Sequence, residues 1–369
     1  MQDNSGTAIR LIIDDSIEIN TWDNVSCDSQ IDTPADSWNL TLFRQGSQAL
    51  PDSVQGAAKV QLFYGDEIVL TGIADRISEA VNRDGYGLEI SGRDLAGQLI
   101  DCSVPIFNGR QVTLEELLQR YVLAGDFGSV IHDVSIQDNS WLKNKVSVEP
   151  SEALWDAIIK AAQVTGQHVW FEPDGTLNIG DPFANPYQVQ ESLRLIKPLN
   201  NENNVLSLQY DNDVSNVFTD LKILSQDSEA KSLLAQTKAQ TQYKFNRLKI
   251  ITLGDVETQA EAEAALLKIK KDNDLEAYSL TATVNDWVID GKVWRAGWYV
   301  NVETNALSRA TAKWAVHGRT LKLSRAEGKT TRLNLKRQGD WAQPLIYKEQ
   351  QPKKKRSKKA KASTQGEQQ

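Results

Sequence analysis

The sequence predicts an α+β protein that is mainly β: two small β-barrel-like domains, an α+β module between them, and a disordered C-terminal tail. Three observations carry this. Residues 8–91 hold short runs of alternating apolar and polar residues separated by tight turns. Residues 104–186 switch to helical spacing, and residues 187–343 return to alternation. A period of two buries one face of a strand, whereas i, i+3, i+4 spacing buries one face of a helix, so the switch marks a change of unit.

In the first unit, residues 1–103, Ile9, Leu11 and Ile13 alternate, then Ile17 and Ile19, with Asp14-Asp15 as the turn. The polar stretch Cys27–Asp36 reads as a connection, and Trp38, Leu40 and Leu42 mark the next strand. Lys59–Phe63 and Ile68–Leu70 form a hairpin through Tyr64-Gly65-Asp66-Glu67, and Ile73–Val81 with Tyr86–Ser91 form another through Asn82-Arg83-Asp84-Gly85. Asn, Asp and Gly supply the backbone freedom such turns need. Many short strands with tight turns predict a small barrel or sandwich.

The stretch Gly85–Cys102 closes this unit and opens the next. Leu88 and Ile90 alternate with Glu89 and Ser91, Gly92 is expected to stop the strand, and Asp94 stands where a helix N-cap would. Gly92, Arg93 and Asp94 are therefore expected to form a structural junction, a hinge rather than a ligand site.

In the α+β module, residues 104–186, Thr113 and Glu116 have the spacing of a capping box, ahead of Leu114, Leu117, Leu118, Tyr121 and Val122 on one helical face. A second helix is expected from Ser151 to Gly166, with Leu154, Trp155, Ile158, Ile159 and Ala162 inward. His168–Glu172 and Thr176–Ile179 flank the turn Pro173-Asp174-Gly175.

The second β-rich region, residues 187–343, has strands expected at Val205–Tyr210, Val217–Leu224, Arg247–Leu253, Tyr278–Val284, Trp298–Glu303, Ala312–Thr320 and Thr330–Leu335. Ser228–Gln242 reads as a polar, exposed, helix-favouring segment and Thr258–Asn273 as an Ala/Glu/Lys-rich helix, with a further division near 250–275 left open. Residues 344–369 cannot bury a core and are expected to be disordered.

Charge is unevenly placed. The net charge is −8, yet residues 353–361 carry seven positive charges and no acid, so −15 (−8 minus +7) remains on everything else. Such an acidic body does not bind nucleic acid by neutralising phosphate. The basic run could touch DNA, anionic lipid or an acidic protein; a solvated tail is the plainer reading. Cys27 and Cys102 are expected as free thiols. No run of apolar residues is long enough to span a bilayer, and Met1–Thr7 lacks the features of a secretory signal.

No catalytic motif is present: no Gly-x-Ser-x-Gly, no His-Glu-x-x-His, no phosphate loop and no dinucleotide fingerprint. His132, His168 and His317 are far apart in sequence, and nothing favours one pair of the many carboxylates over another. No catalytic, cofactor-binding or metal-ligating residue is expected. Of ten tryptophans, Trp287, Trp294, Trp298, Trp314 and Trp341 crowd the C-terminal part. Core packing is the plain expectation for most of them, with a subunit interface as the alternative.

Three stretches together resemble the baseplate hub proteins of contractile phage tails, most closely those of Mu-like phages and prophages. The first is Ile31-Asp-Thr-Pro-Ala-Asp-Ser-Trp-Asn-Leu-Thr-Leu42, with Trp38 at the aromatic place. The second is Gly92-Arg93-Asp94 followed by the module with Ala161–Gly166 and Asp174-Gly175. The third runs from Val284-Asn-Asp-Trp287 through Gly291, Trp294 and Tyr299-Val-Asn-Val302 to Gly328-Lys-Thr-Thr-Arg-Leu-Asn-Leu335.

The resemblance covers about residues 8–343 and implies a homotrimeric hub whose two tube-type β domains per subunit form a pseudo-sixfold ring. That ring would join the tail tube protein to the central spike protein, meet other baseplate proteins, and let DNA pass without specific binding. It implies no catalytic residues and no cofactor, a place in the virion tail baseplate after assembly in the bacterial host cytoplasm, and no stable membrane association. The alternatives are a tail-associated glycan hydrolase, with its site in the α+β module, and a carbohydrate-binding adhesin.

Overall fold

The structure, a computed structural model, describes residues 9–337 except 32, 45–49, 53, 106–110, 132, 138–144, 150, 164–166, 216, 226–233, 239–244 and 254–276; within the last range only Gln259, Ala262, Glu263, Leu266 and Ile269 are described. His132, Gly166, Trp341, the basic tail and most of Thr258–Asn273 therefore lie outside the described residues.

The first unit contains β1 (Ile9–Ile13), β2 (Ile17–Ile19), β3 (Asn24–Gln30), β4 (Ser37–Arg44), β5 (Lys59–Tyr64), β6 (Glu67–Asn82) and β7 (Gly85–Asp94). β1 and β2 pair through Asp14 and Asp15, both left-handed with φ of 47° and 53°, a conformation Asp tolerates. β3 is a strand where a polar connection was expected from Cys27 onward. Only Val25 and Cys27 mark its buried face, too short an alternation to stand out, and its pairing on both sides makes it a strand. The two strands expected after Gly65 are one, β6, 16 residues long.

The module comprises α1 (Ala96–Asp101), β8 (Gln111–Thr113), α2 (Leu114–Leu117) running into a π-helical turn over Leu118–Leu123, β9 (Val134–Ile136), β10 (Lys145–Ser147), α3 (Leu154–Gln163), β11 (His168–Phe171) and β12 (Leu177–Gly180). The capping box at α2 is present: Glu116 N–H donates to Thr113 Oγ1 at 3.2 Å, and Thr113 N–H to Glu116 Oε2 at 2.9 Å. α3 begins at Leu154, later than expected. Ser151 has φ of 72°, whereas an N-cap residue sits in the extended region, so it cannot serve as the cap. β9 pairs in parallel with β12, which makes a hairpin with β11 around Gly175.

The second region comprises β13 (Leu193–Leu195), β14 (Val205–Asn212), β15 (Asp220–Ser225), β16 (Leu234–Lys238), β17 (Leu248–Leu253), β18 (Tyr278–Asn285), β19 (Val288–Ile289), β20 (Lys292–Val293), β21 (Tyr299–Thr304), β22 (Ala312–Ser324) and β23 (Gly328–Arg337). β15, β16 and β17 form their own small sheet, with Leu221 and Ile223 packed on Ala262 and Leu266. β16 lies inside the segment expected to favour helix. Pairing with β15 from Asp220↔Lys238 to Leu224↔Leu234 overrides the weak helix propensity of this polar run.

One long strand joins the two β regions. β22 pairs with β23 on one side and with β3 on the other, from Gly318↔Gln30 to Leu323↔Val25. This makes a single 13-stranded sheet through both regions. The core follows the sheet: Leu11, Leu40, Leu62 and Ile90 belong to the same buried cluster as Trp287, Trp294, Trp314 and Leu333. The module has a core of its own, built on Leu114, Leu117, Trp155, Ile158, Leu177 and Ile179. Leu95, Ala96 and Leu99 pack into that second core, so α1 already shares the module's interior.

Candidate functional site

Gly92, Arg93 and Asp94 sit at the end of β7, where the sheet meets the module. The strand does not stop at Gly92: β7 continues to Asp94, with Gly92 opposite Trp38 on β4 and Ala74 on β6. The glycine is needed for space rather than for a break. A Cβ there would fall far inside contact distance of the Ile73 carbonyl oxygen and 2.9 Å from the Trp38 ring. β6 carries an irregularity between Ala74 and Arg76 at this level, which brings the two backbones close.

Arg93 ties the junction together. Its Nε donates to Asp75 Oδ2 at 2.8 Å, and its Nη1 and Nη2 donate to the two oxygens of Asp101 at 3.1 and 2.5 Å. These bonds, to Asp101 first and Asp75 second, hold the guanidinium protonated still more firmly than usual. The Arg93 hydrogen bond in turn keeps the Asp101 carboxyl below its ordinary range. Asp94 supplies the capping bonds expected of it, its carboxyl accepting from the backbone N–H groups of Ala96 and Gly97, although the helix boundary falls one residue later. The N-cap is Leu95, without a side-chain bond, and Asp94 lies one residue earlier, its Oδ1 accepting from Ala96 N–H at 3.0 Å.

Behind this corner lies a cavity of about 300 Å³, where the first unit, the module and the second region meet. Its lining includes Asp36, Asp94, Arg319, Trp155, Trp170 and Trp298. Arg319 is 2% exposed; its Nη1 donates to the Cys27 carbonyl at 3.1 Å and its Nη2 to the Val69 carbonyl at 3.2 Å. It comes from β22, just past the register shift between Val316 and Gly318, the kind of irregularity that re-aims a side chain.

Burial pushes the Asp36 carboxyl up to about 6, against the opposing pull of a Ser29 hydrogen bond and the Arg319 charge. Burial also raises Asp94, with the Asp36 charge adding to it. Cys27, expected as a free thiol, is free and buried beside Arg319, and burial raises its pKa; Cys102 is free and exposed. At the rim, Arg295 Nη2 lies 2.9 Å from Glu67 and its Nη1 lies 3.9 Å from Glu172, so one guanidinium spans all three parts. The arrangement is that of a charged joint.

The aromatic residues considered for an interface are instead interior. Trp287, Trp294 and Trp314 are fully buried within one chain, and Trp298 is 9% exposed; Trp341 lies outside the described residues. Trp287 Nε1 donates to the Lys322 carbonyl at 2.9 Å and Trp314 Nε1 to the Ala310 carbonyl at 2.8 Å. These two rings fill core volume and find a partner for their one polar atom, whereas Trp294 Nε1 is buried without one. His168 lies in β11, while His317 is buried in β22 and stacked on Phe183 with centroids 5.6 Å apart. Among the described residues no cluster of His, Cys, Asp and Glu is placed to hold a metal ion, and no helix is long and apolar enough to cross a membrane. Asp36 and Arg319 were not singled out in the sequence: Asp36 ends a polar run and Arg319 lies close to His317 and Thr320, so neither stands out.

Comparison with known proteins places this fold among phage tail proteins. Residues 8–94 match the family described as Mu phage baseplate assembly protein GpP-like, N-terminal. Residues 96–181 match the second domain of baseplate hub protein gp44-like proteins, and residues 272–339 a tail protein C-terminal domain. The first match ends at Asp94 and the second begins at Ala96, at the Arg93 corner.

The baseplate hub protein gp44 of Escherichia phage Mu is 22% identical over 330 residues, covering 85% of this chain and 84% of its own. A tail protein from Neisseria meningitidis is 27% identical with a TM-score of 0.76, covering 91% of this chain and 98% of its own. The 43 kDa tail protein of prophage MuSo2 from Shewanella oneidensis shares the fold at 18% identity and a TM-score of 0.75, covering 89% and 98%. The class is thus that of a structural tail protein of the baseplate. The particular proteins it is similar to are the Mu-like baseplate hub proteins, whose domains match its first two units and one of which matches most of its length.

Proposed function

We propose that three copies of this chain form the central ring of a baseplate, joining the tail tube to the spike and letting DNA through. One observation supports it most directly. The two β regions are fused into a single sheet through β3 and β22, so each subunit offers two β regions held as one body. Three such subunits would present six β regions to a sixfold tube. The fusion matters because a ring under load fails at its weakest joint, and a shared core with continuous sheet hydrogen bonding is a stiff joint.

In this reading the working units are residues 1–103, 104–186, 187–343 and 344–369. The partners are further copies of the chain, the tube protein, the spike protein and other baseplate proteins. The acidic body suits a passage for DNA, because a wall that repels phosphate cannot trap the polymer by multivalent counterion release. Assembly in the host cytoplasm belongs to the same reading.

Light scattering on the purified chain tests the ring. A mass of three chains, together with a ring with a central hole by electron microscopy, is expected. A monomer that stays monomeric when mixed with its own tube and spike proteins would overturn it.

A further inference from the structure

Two acids from the first unit and one cation from the second region share the junction cavity. Asp36 precedes β4, Asp94 ends β7, and Arg319 comes from β22. One backbone bond joins the two acids, and each of the three is fixed to the backbone of a neighbouring segment. Asp94 N–H donates to the Asp36 carbonyl at 2.9 Å, Asp36 Oδ1 accepts from Gln30 N–H at 2.9 Å, and Asp94 Oδ1 accepts from Ala96 N–H at 3.0 Å, the first residue of α1. Arg319 reaches across to the Cys27 and Val69 carbonyls.

With both carboxyls ionised, these three groups carry one net negative charge; with one proton between them they carry none. An unbalanced charge among largely desolvated groups is costly, and two carboxyls that share a site favour holding one proton.

The surrounding groups do not supply a second positive charge. On β3, Asp28 adds negative charge, Ser29 and Gln30 only donate hydrogen bonds, and the Cys27 thiol is held neutral by burial. On β7, Arg93 is engaged by Asp75 and Asp101. From the module come the backbone amides of Ala96 and Gly97 and the Glu172 carboxylate. Arg295, just before β21, is shared between Glu67 and Glu172.

We propose that Asp36 and Asp94 hold a single proton between them, and that its loss loosens the seat of the module on the β sheet, making the junction a latch that is tighter in mild acid than at neutral or alkaline pH. The shared proton keeps the cavity neutral around Arg319. Removing it leaves two carboxylates and one guanidinium in the cavity lining, a net negative charge, and the segment that can yield is the short α1, which is only six residues long and anchored through Asp94.

Hydrogen exchange on the full chain tests this. Protection of the amides in Ala96–Asp101, taken relative to those of Leu11 and Leu62 and corrected for intrinsic exchange, is compared between pH 5 and pH 8. A fall of about tenfold is expected in the wild-type chain, the size of a one-unit difference in proton affinity. Asp36→Asn and Asp94→Asn keep the acceptor oxygen and the volume but not the titration. Each folded variant is expected to show the same relative protection at both pH values, and should one fail to fold, the other decides. A wild-type ratio independent of pH, or a pH dependence that survives in the folded variants, would overturn the latch.

Discussion

Arg93 meets Asp101 in two parallel bonds, Nη1 to Oδ1 at 3.1 Å and Nη2 to Oδ2 at 2.5 Å. This fork-to-fork contact links the last strand of the first unit to the end of α1, while the Nε bond to Asp75 anchors the same guanidinium to β6. Asp101 is half exposed and water screens much of its attraction, so the network positions the corner more than it stabilises the chain.

Arg93→Ala should therefore cost only about 1 kcal/mol in urea unfolding. Arg93→Lys should recover part of that, because an ammonium cannot bridge both carboxylates in the same plane. A loss several times larger would show that the pair is a main support of the fold.

The same contact carries a pH dependence. Arg93 keeps the Asp101 carboxyl below its unfolded value, so its contribution is present above the unfolded pKa and lost as pH falls through the folded one. The stability gap between wild type and Arg93→Ala should be largest near pH 7 and shrink as the solution is taken below about pH 4. Denaturation midpoints at pH 7 and pH 2.5 measure it; a gap that widens in acid contradicts the assignment.

Gly92→Ala should destabilise by about 1–3 kcal/mol, since the added methyl must displace β6 backbone and the Trp38 ring. A neutral effect in thermal unfolding would mean that the corner relaxes freely.

Trp314→Ala should cost about 3–5 kcal/mol by leaving a cavity in the shared core and orphaning the Ala310 carbonyl. Calorimetry should show this loss in dilute and concentrated samples alike. A variant of unchanged stability that only weakens self-association would return the tryptophan to an interface.

A chain ending at residue 343 should show no affinity for duplex DNA even at low salt, where electrostatic attraction is strongest. Fluorescence anisotropy with a labelled duplex measures it. Tight binding by this body would mean that the protein grips DNA rather than letting it pass.

The order of strands and helices was legible in the sequence because it rests on local chemistry. Ile9, Leu11 and Ile13 alternate whatever they pack against, and Thr113 with Glu116 closes its cap within four residues. The family likeness was legible because short runs such as Gly92-Arg93-Asp94 can be matched in order and spacing without knowing what they touch. Their particular roles were not. Gly92 could be read as a strand breaker because the Ile73 carbonyl that excludes a side chain lies on another strand. β3 was half hidden because its partners, β4 and β22, are what make it a strand.

What only the tertiary structure decided are the encounters between residues hundreds of positions apart. The sequence by itself determined two alternating regions around a helical module and an acidic body, since periodicity and charge are properties of single stretches. The β3–β22 pairing that fuses those regions, the burial of Trp287, Trp294 and Trp314, and the meeting of Asp36, Asp94 and Arg319 in one cavity depend on which faces come together. Burial and Coulomb energies are set by distance in space, and a linear pattern does not carry that distance.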